Sequence, residues 1–440
     1  MSQTTSASPM SSLIPSASDR PSDDPIFTLN AEAERRVAEG ASVINATLGV
    51  LTEDDGELAI MPSVFDALGA VPARSAAAYA PIAGDRVFID AIVGDVFGTS
   101  SLAENAVAVA TAGGTGALHH AVVNYVRPGE ALLTTSYYWG PYRIIADHAG
   151  RAVETFEMFA PDGTFHLEAM REGLSQLMER QGRALIIFNF PCHNPTGYSL
   201  DAGEWEGVAG ILAQASDQGP VTFVLDLAYA HYGEASCWLP ALEAIAERIT
   251  LLVAWSASKS FLQYGARVGG LLGVTLDPDE RQRMSNALSY SCRGVWSNCN
   301  HAGLLAVTEL LTDPDLKVRV AREREHVKAL LGERVALFNE KAEQVGLKTP
   351  RYEGGFFVAV FTPDAQETAA RARENGVFVV PMDGAFRVAL CPTPASALPS
   401  PLPVLAAAVP GARRGARRPL SALPVGRQGR SVAGASYARW

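Results

Sequence analysis

Ile249-Thr-Leu-Leu-Val-Ala254, followed after Trp255 by Ser256-Ala-Ser258-Lys259-Ser260-Phe261, decides how the chain is read. The first half is continuously apolar rather than alternating, the pattern of a strand covered on both faces. The second half puts a lysine at the strand's end among hydroxyls, with Arg267 eight residues further on. A buried lysine is costly unless it has a task. Condensing with an aldehyde removes that cost, because the amine becomes part of a conjugated imine. On its own, Ser-x-Ser-Lys fits a surface lysine after a strand equally well.

Working outward, the same continuously apolar runs recur at Ala106 to Ala110, Ala131 to Thr135, Ala184 to Asn189 and Thr222 to Asp226. Helical stretches separate them. That alternation predicts an α/β layered domain with a mostly parallel sheet. With 440 residues, the chain exceeds one core's usual size, so two packed domains are expected. A helix is expected from about Ile26 to Gly40 and a short apolar segment from Val43 to Val50. After about Asn300 the pattern changes to a long helix through Leu316 to Val345. Strands near Gly355 to Phe361 and Phe386 to Leu390 follow, with a helix between them. These make a smaller α+β domain. The expected division is a disordered N-terminal arm at 1–24, an N-terminal part of the small domain at 25–60, the large domain at 61–305 and the small C-terminal domain at 306–391. Residues 392–440 form an atypical tail. They contain no Asp, Glu or Lys, prolines recur at close spacing, and Arg clusters at 413, 414, 417 and 418. The prolines predict no closing helix there. The tail reads either as a basic segment for an acidic partner or as sequence translated out of frame from a GC-rich gene.

The formal net charge of -11 argues against nucleic acid and gives no reason to expect an anionic membrane partner. No apolar run is long enough to span a bilayer. Five cysteines with no CxxC pair fit a reduced, cytoplasmic compartment, and no metal-ligand cluster stands out.

Three further motifs lie at strand ends, where sheet ligands collect. Thr111-Ala-Gly113-Gly114-Thr115-Gly116 leads into a helix, and free N–H groups there form an anion cradle, although neither a Walker loop nor full GxGxxG spacing is present. Asn194-Pro-Thr-Gly197 is also an ordinary turn by its local chemistry. Asp226-Leu-Ala-Tyr229 places an acid in the same crevice, or else a capping Asp beside a core Tyr.

In this order, the four motifs resemble the fold-type I enzymes that use pyridoxal 5'-phosphate (PLP), within them the class I aminotransferases of the aspartate and aromatic kind. The resemblance covers about Asn45 to Leu390. It implies a large domain with a seven-stranded, mostly parallel sheet between helices, and a small α+β domain. It also implies two half-reactions between an L-amino acid and a 2-oxo acid such as 2-oxoglutarate. Lys259 would then form the imine with the cofactor and move the Cα proton. Asp226 would pair with the ring nitrogen, while Tyr229 and Asn194 would bond the phenolic oxygen. Gly114, Thr115, Ser256, Ser258 and Arg267 would hold the phosphate, and Trp139 would stack on the ring. Tyr79 would reach the phosphate of a partner subunit, implying a homodimer with shared sites. Arg387 and Gly49 would bind the substrate's α-carboxylate. Arg293, given from the other subunit, would bind a side-chain carboxylate.

The chain also departs from the family pattern. Tyr142 stands where relatives often carry a histidine supporting the aspartate, with His193 left to supply part of that support. Position 257 is Ala rather than an aromatic residue. A PLP lyase or decarboxylase on the same fold, or an inactive homologue spoiled by its C-terminus, are the alternatives. A PLP-sensing regulator lacks the added helical module it would need.

Overall fold

The strands form where the apolar runs predict them. The structure is a computed structural model and describes residues 12–18, 20–21, 24–233 and 237–410. Its strands are β1 (Ile44–Asn45), β2 (Ala106–Ala112), β3 (Ala131–Thr135), β4 (Ala152–Phe156), β5 (Ala184–Phe188), β6 (Val221–Asp226), β7 (Thr250–Ser256), β8 (Val268–Val274), β9 (Phe357–Phe361), β10 (Val377–Phe378), β11 (Val380–Met382) and β12 (Ala385–Ala389). Seven make one sheet in the order β2-β8-β7-β6-β5-β3-β4. Only β8 runs against the others, pairing antiparallel with both β2 and β7. Every residue of β3, β5, β6 and β8 is buried, as expected for a sheet covered on both faces.

The parallel direction sets the site. The C-terminal ends of β2, β5, β6 and β7 open on one edge, carrying Gly114, Asn189, Asp226 and Lys259 into a common crevice. The remaining strands make an antiparallel sheet in the order β11-β12-β9 and a parallel pair β1-β10. The long helix Pro314–Gln344 joins the two halves, and Asp313 caps its start by accepting from Leu316 N at 2.8 Å.

The chain does not stop packing at 391. A helix spans Pro401–Ala408 beside the helix Ala365–Glu374, and Leu398, Leu402, Leu405 and Ala408 are buried in the main core. The expectation that prolines exclude a closing helix therefore fails. Pro401 and Pro403 fall in the helix's first turn, where N–H groups have no intrahelical acceptor to lose. The Arg cluster at 413–418 lies outside the described residues. So do residues 1–11 of the N-terminal arm, while Pro15–Ser18 form one helical turn. Among the described residues, no helix is long and apolar enough to cross a membrane.

Candidate active site

A cavity of about 380 Å³ opens at the strand ends. Lys259 sits in it at the end of the short helix Ala257–Ser260, which continues β7 directly. The Lys259 amine donates to Gly49 O at 2.9 Å and lies 4.4 Å from the centre of the Tyr264 ring. Burial pushes its pKa down to about 8, so a neutral, nucleophilic amine is accessible near neutral pH. Gly49 has no room for a side chain, because a Cβ there would stand 2.4 Å from the Phe357 ring.

Asp226 ends β6 inside the same cavity and is 5 % exposed. Its Oδ2 accepts from the Tyr142 hydroxyl at 2.8 Å and its Oδ1 from Ala228 N at 3.1 Å. Burial raises its pKa to about 6, and the two hydrogen bonds oppose that rise. No Lys, Arg or His pairs with it among the described residues. Asn189, at the end of β5, ties the neighbourhood together. It donates to Asp226 O at 2.9 Å, and its Oδ1 accepts from Asn194 N at 2.8 Å. Asn194 Nδ2 in turn reaches the Tyr229 hydroxyl at 3.5 Å. Asn194, Asp226, Tyr229 and Trp139 all line the cavity.

Gly114, Thr115, Ser256, Ser258 and Arg267 line the cavity as well. The helix Gly113–Tyr125 begins here and presents its free N–H groups. Gly113 has φ +66°, and a Cβ would meet the Arg267 guanidinium at 2.4 Å, so glycine is what lets the arginine lie against the loop. Arg267 donates to Ser258 Oγ at 3.1 Å and to the carbonyls of Tyr264 and Ala112, with no carboxylate partner among the described residues. A cationic, N–H-rich end is suited to a phosphate.

Arg387 enters from the centre of β12 in the small domain. It is 6 % exposed, donates to Thr47 O at 2.6 Å and to Asn194 Oδ1 at 3.3 Å, and lies 4.2 Å from the Phe357 ring centre. Its Nε has no partner. A buried guanidinium with a spare donor and no ion pair among the described residues fits an incoming carboxylate.

Four expected residues do not line the cavity: Gly49 and Arg387 bond the lining residues Lys259 and Asn194, whereas Tyr79 and Arg293 are not brought near it within a single chain. Tyr79 is 91 % exposed. Arg293, in the last turn of the helix Pro278–Val295, is exposed and bonds Ser297 Oγ at 2.6 Å. His193 does not face Asp226. It bonds Thr196 Oγ1 at 2.8 Å and stacks on Phe190, and burial pushes its pKa down to about 3. Phe27, Asn189 and Tyr264 also line the cavity and had no reading from sequence. The buried polar residue ending an apolar strand was the one available signal for Asn189. No cluster of potential metal ligands occurs among the described residues.

These contacts make a site for a rigid, doubly charged aldehyde. A buried acid and a cation, neither ion-paired among the described residues, share the cavity with a helix N-terminus and a reactive amine. Comparisons with known proteins point the same way. The chain is 28 % identical to an aspartate aminotransferase of Pseudomonas aeruginosa over 303 residues, covering 67 % of this chain and 74 % of the relative. An aminotransferase structure from Anaerococcus prevotii superposes with TM-score 0.86 at 29 % identity, covering 91 % of this chain and all of the other. The fold is shared with an aromatic-amino-acid aminotransferase from Burkholderia pseudomallei covalently bound to pyridoxal phosphate, with TM-score 0.76, 24 % identity, and coverage of 89 % and 98 %. A sequence model of the family matches residues 41–398, and the chain belongs to the class I and II aminotransferases.

Proposed function

We propose that this enzyme moves an amino group between an L-amino acid of the aspartate or aromatic kind and a 2-oxo acid such as 2-oxoglutarate, with Lys259 as its catalytic residue. As a class I and II aminotransferase it works with pyridoxal 5'-phosphate. When bound, that cofactor supplies an aldehyde carbon and an electron-accepting ring. The Lys259 amine would hold the aldehyde and, when free, would accept the proton from the substrate Cα. Asp226 holds a proton on the ring nitrogen. Its raised pKa reflects a carboxylate buried without a counter-ion, which a pyridinium supplies. The Tyr229 hydroxyl and Asn194 Nδ2 would bond the cofactor's ring oxygen, and Trp139, which lines the same cavity, would pack against the ring. Gly114, Thr115, Ser256, Ser258 and Arg267 orient the phosphate. Arg387 grips the α-carboxylate through its free donor, with Gly49 beside it, so that the substrate's Cα faces Lys259.

Tyr79 and Arg293 serve the site of a second copy in this reading, and their exposure on the single chain supports a homodimer. Arg293 then selects dicarboxylates. Five free cysteines support a reducing, cytoplasmic setting. The observation that carries the reading is Lys259 sharing one cavity with Asp226 and Arg267. A half-reaction screen tests it. The PLP-loaded chain is mixed with each common amino acid while the Lys259-dependent absorbance is followed. The expected result is stoichiometric release of the matching 2-oxo acid from aspartate, glutamate or aromatic donors. A loaded chain that converts none of them contradicts the proposal.

A further inference from the structure

The Asp226 carboxylate is pinned at both oxygens, and one of the pins departs from the family pattern. Tyr142 is the second residue of the helix Pro141–His148, which follows the Trp139-Gly140 turn. Its backbone N–H donates to Trp139 O at 2.9 Å, so the two aromatic residues share one turn. The ring is 2 % exposed, lies 6.3 Å from Tyr138 at an interplanar angle of 13°, and meets Trp139 edge-on at 5.8 Å and 89°. Clamped this way, its hydroxyl has one buried partner, Asp226 Oδ2 at 2.8 Å. The other carboxylate oxygen is held by Ala228 N. His193, the imidazole closest in sequence to the cofactor motif, is turned toward Thr196 instead.

We propose that Tyr142 is a positioning residue that keeps the cofactor's ring nitrogen protonated, acting through Asp226. The inference rests on the reading above that Asp226 faces that nitrogen. A hydrogen bond donated to one oxygen lowers the basicity of the carboxylate, so a proton shared between acid and ring stays on the ring. Burial holds the Tyr142 phenol well above its ordinary pKa of 10, so it stays a neutral donor throughout the working range. The titratable groups acting on it are Asp226 and Tyr229. A phenol therefore supplies the donor without the variable charge an imidazole would bring.

The test is the ¹⁵N resonance of the ring nitrogen in full-length chain loaded with ring-labelled PLP, compared for wild type, Tyr142→Phe and Tyr142→His. In Tyr142→Phe the resonance is expected to move toward the unprotonated position. kcat should fall about tenfold, the effect of one hydrogen bond to a charged group, while KM changes little. Tyr142→His, which restores a donor, should return the resonance toward wild type. A Tyr142→Phe chain that binds PLP through Lys259 with wild-type resonance and kcat overturns the proposal. If the Phe variant does not hold PLP, the His variant decides: a wild-type resonance supports the proposal and an unprotonated one overturns it. A wild-type chain that forms no Lys259-dependent linkage would instead overturn the functional reading beneath it.

Discussion

Asp226, which lines the cavity, and Arg387, which bonds its lining residue Asn194, are two buried ionisable groups, and the two sheets treat them differently. The acid comes from the end of a strand in the large sheet, is held by two hydrogen-bond donors, and responds to burial by a pKa raised to about 6. The arginine comes from the middle of a strand in the small sheet and leans on a backbone carbonyl, an amide oxygen and an aromatic face. A guanidinium cannot discharge at working pH, so it keeps its charge and a spare donor. The difference divides the labour. The large domain holds a permanent group whose protonation can be tuned. In the proposed reading the small sheet offers a fixed cation to a ligand that comes and goes.

Breaking the acid half should have the larger effect. In the proposed reading Asp226→Ala removes the ring nitrogen's partner, and losing one member of a buried pair costs about 3–5 kcal/mol. The expected result is a fall in kcat of roughly a thousandfold at the middle of that range, with PLP held more weakly by equilibrium dialysis. Breaking the arginine half, by Arg387→Ala, should cost about 3 kcal/mol, roughly a hundredfold in kcat/KM, and the loss should appear only for substrates that carry an α-carboxylate. Steady-state kinetics with an amino acid and its decarboxylated amine reads this directly. Arg387→Lys should recover little, because an ammonium cannot make the bidentate pair.

A third expectation sharpens the comparison without substrate. Because the folded-state pKa of Asp226 is raised from 3.8 to about 6, the folded apo-chain binds that proton more tightly than the unfolded chain. Stability attributable to Asp226 should therefore fall as pH rises from about 4 to about 6, by at most about 3 kcal/mol at 1.36 kcal/mol per pKa unit. Urea unfolding of the apo-chain across that range, with Asp226→Asn subtracted, measures it. Added PLP should flatten the difference.

How much of this was legible in the sequence depended on how local the cause was. β5, β6 and β7 declared themselves through unbroken apolar runs, and their last residues pointed to the crevice. β8 did not, because Gly269, Gly270 and Gly273 lower its strand propensity. The structure shows why they are there. A Cβ on Gly269 would stand 2.5 Å from Gly113, and one on Gly273 would stand 2.1 Å from Met284. The edge strand β4, half exposed, gave no continuous run. The bond from Tyr142 to Asp226 joins residues 84 apart in sequence and has no local signature. The closing helix at Pro401–Ala408 was hidden by prolines that are harmless only because they occupy its first turn. The expected roles of Tyr79 and Arg293 belong to a surface that a single chain leaves open.

The most direct test is the absorbance spectrum of the full-length chain mixed with PLP, beside that of Lys259→Ala. The account expects a protein-bound band that is stable to gel filtration, is removed by glutamate or aspartate, and is absent in Lys259→Ala, whose spectrum should be that of unlinked PLP. A band of equal strength in Lys259→Ala, or none in the wild-type chain, would contradict it.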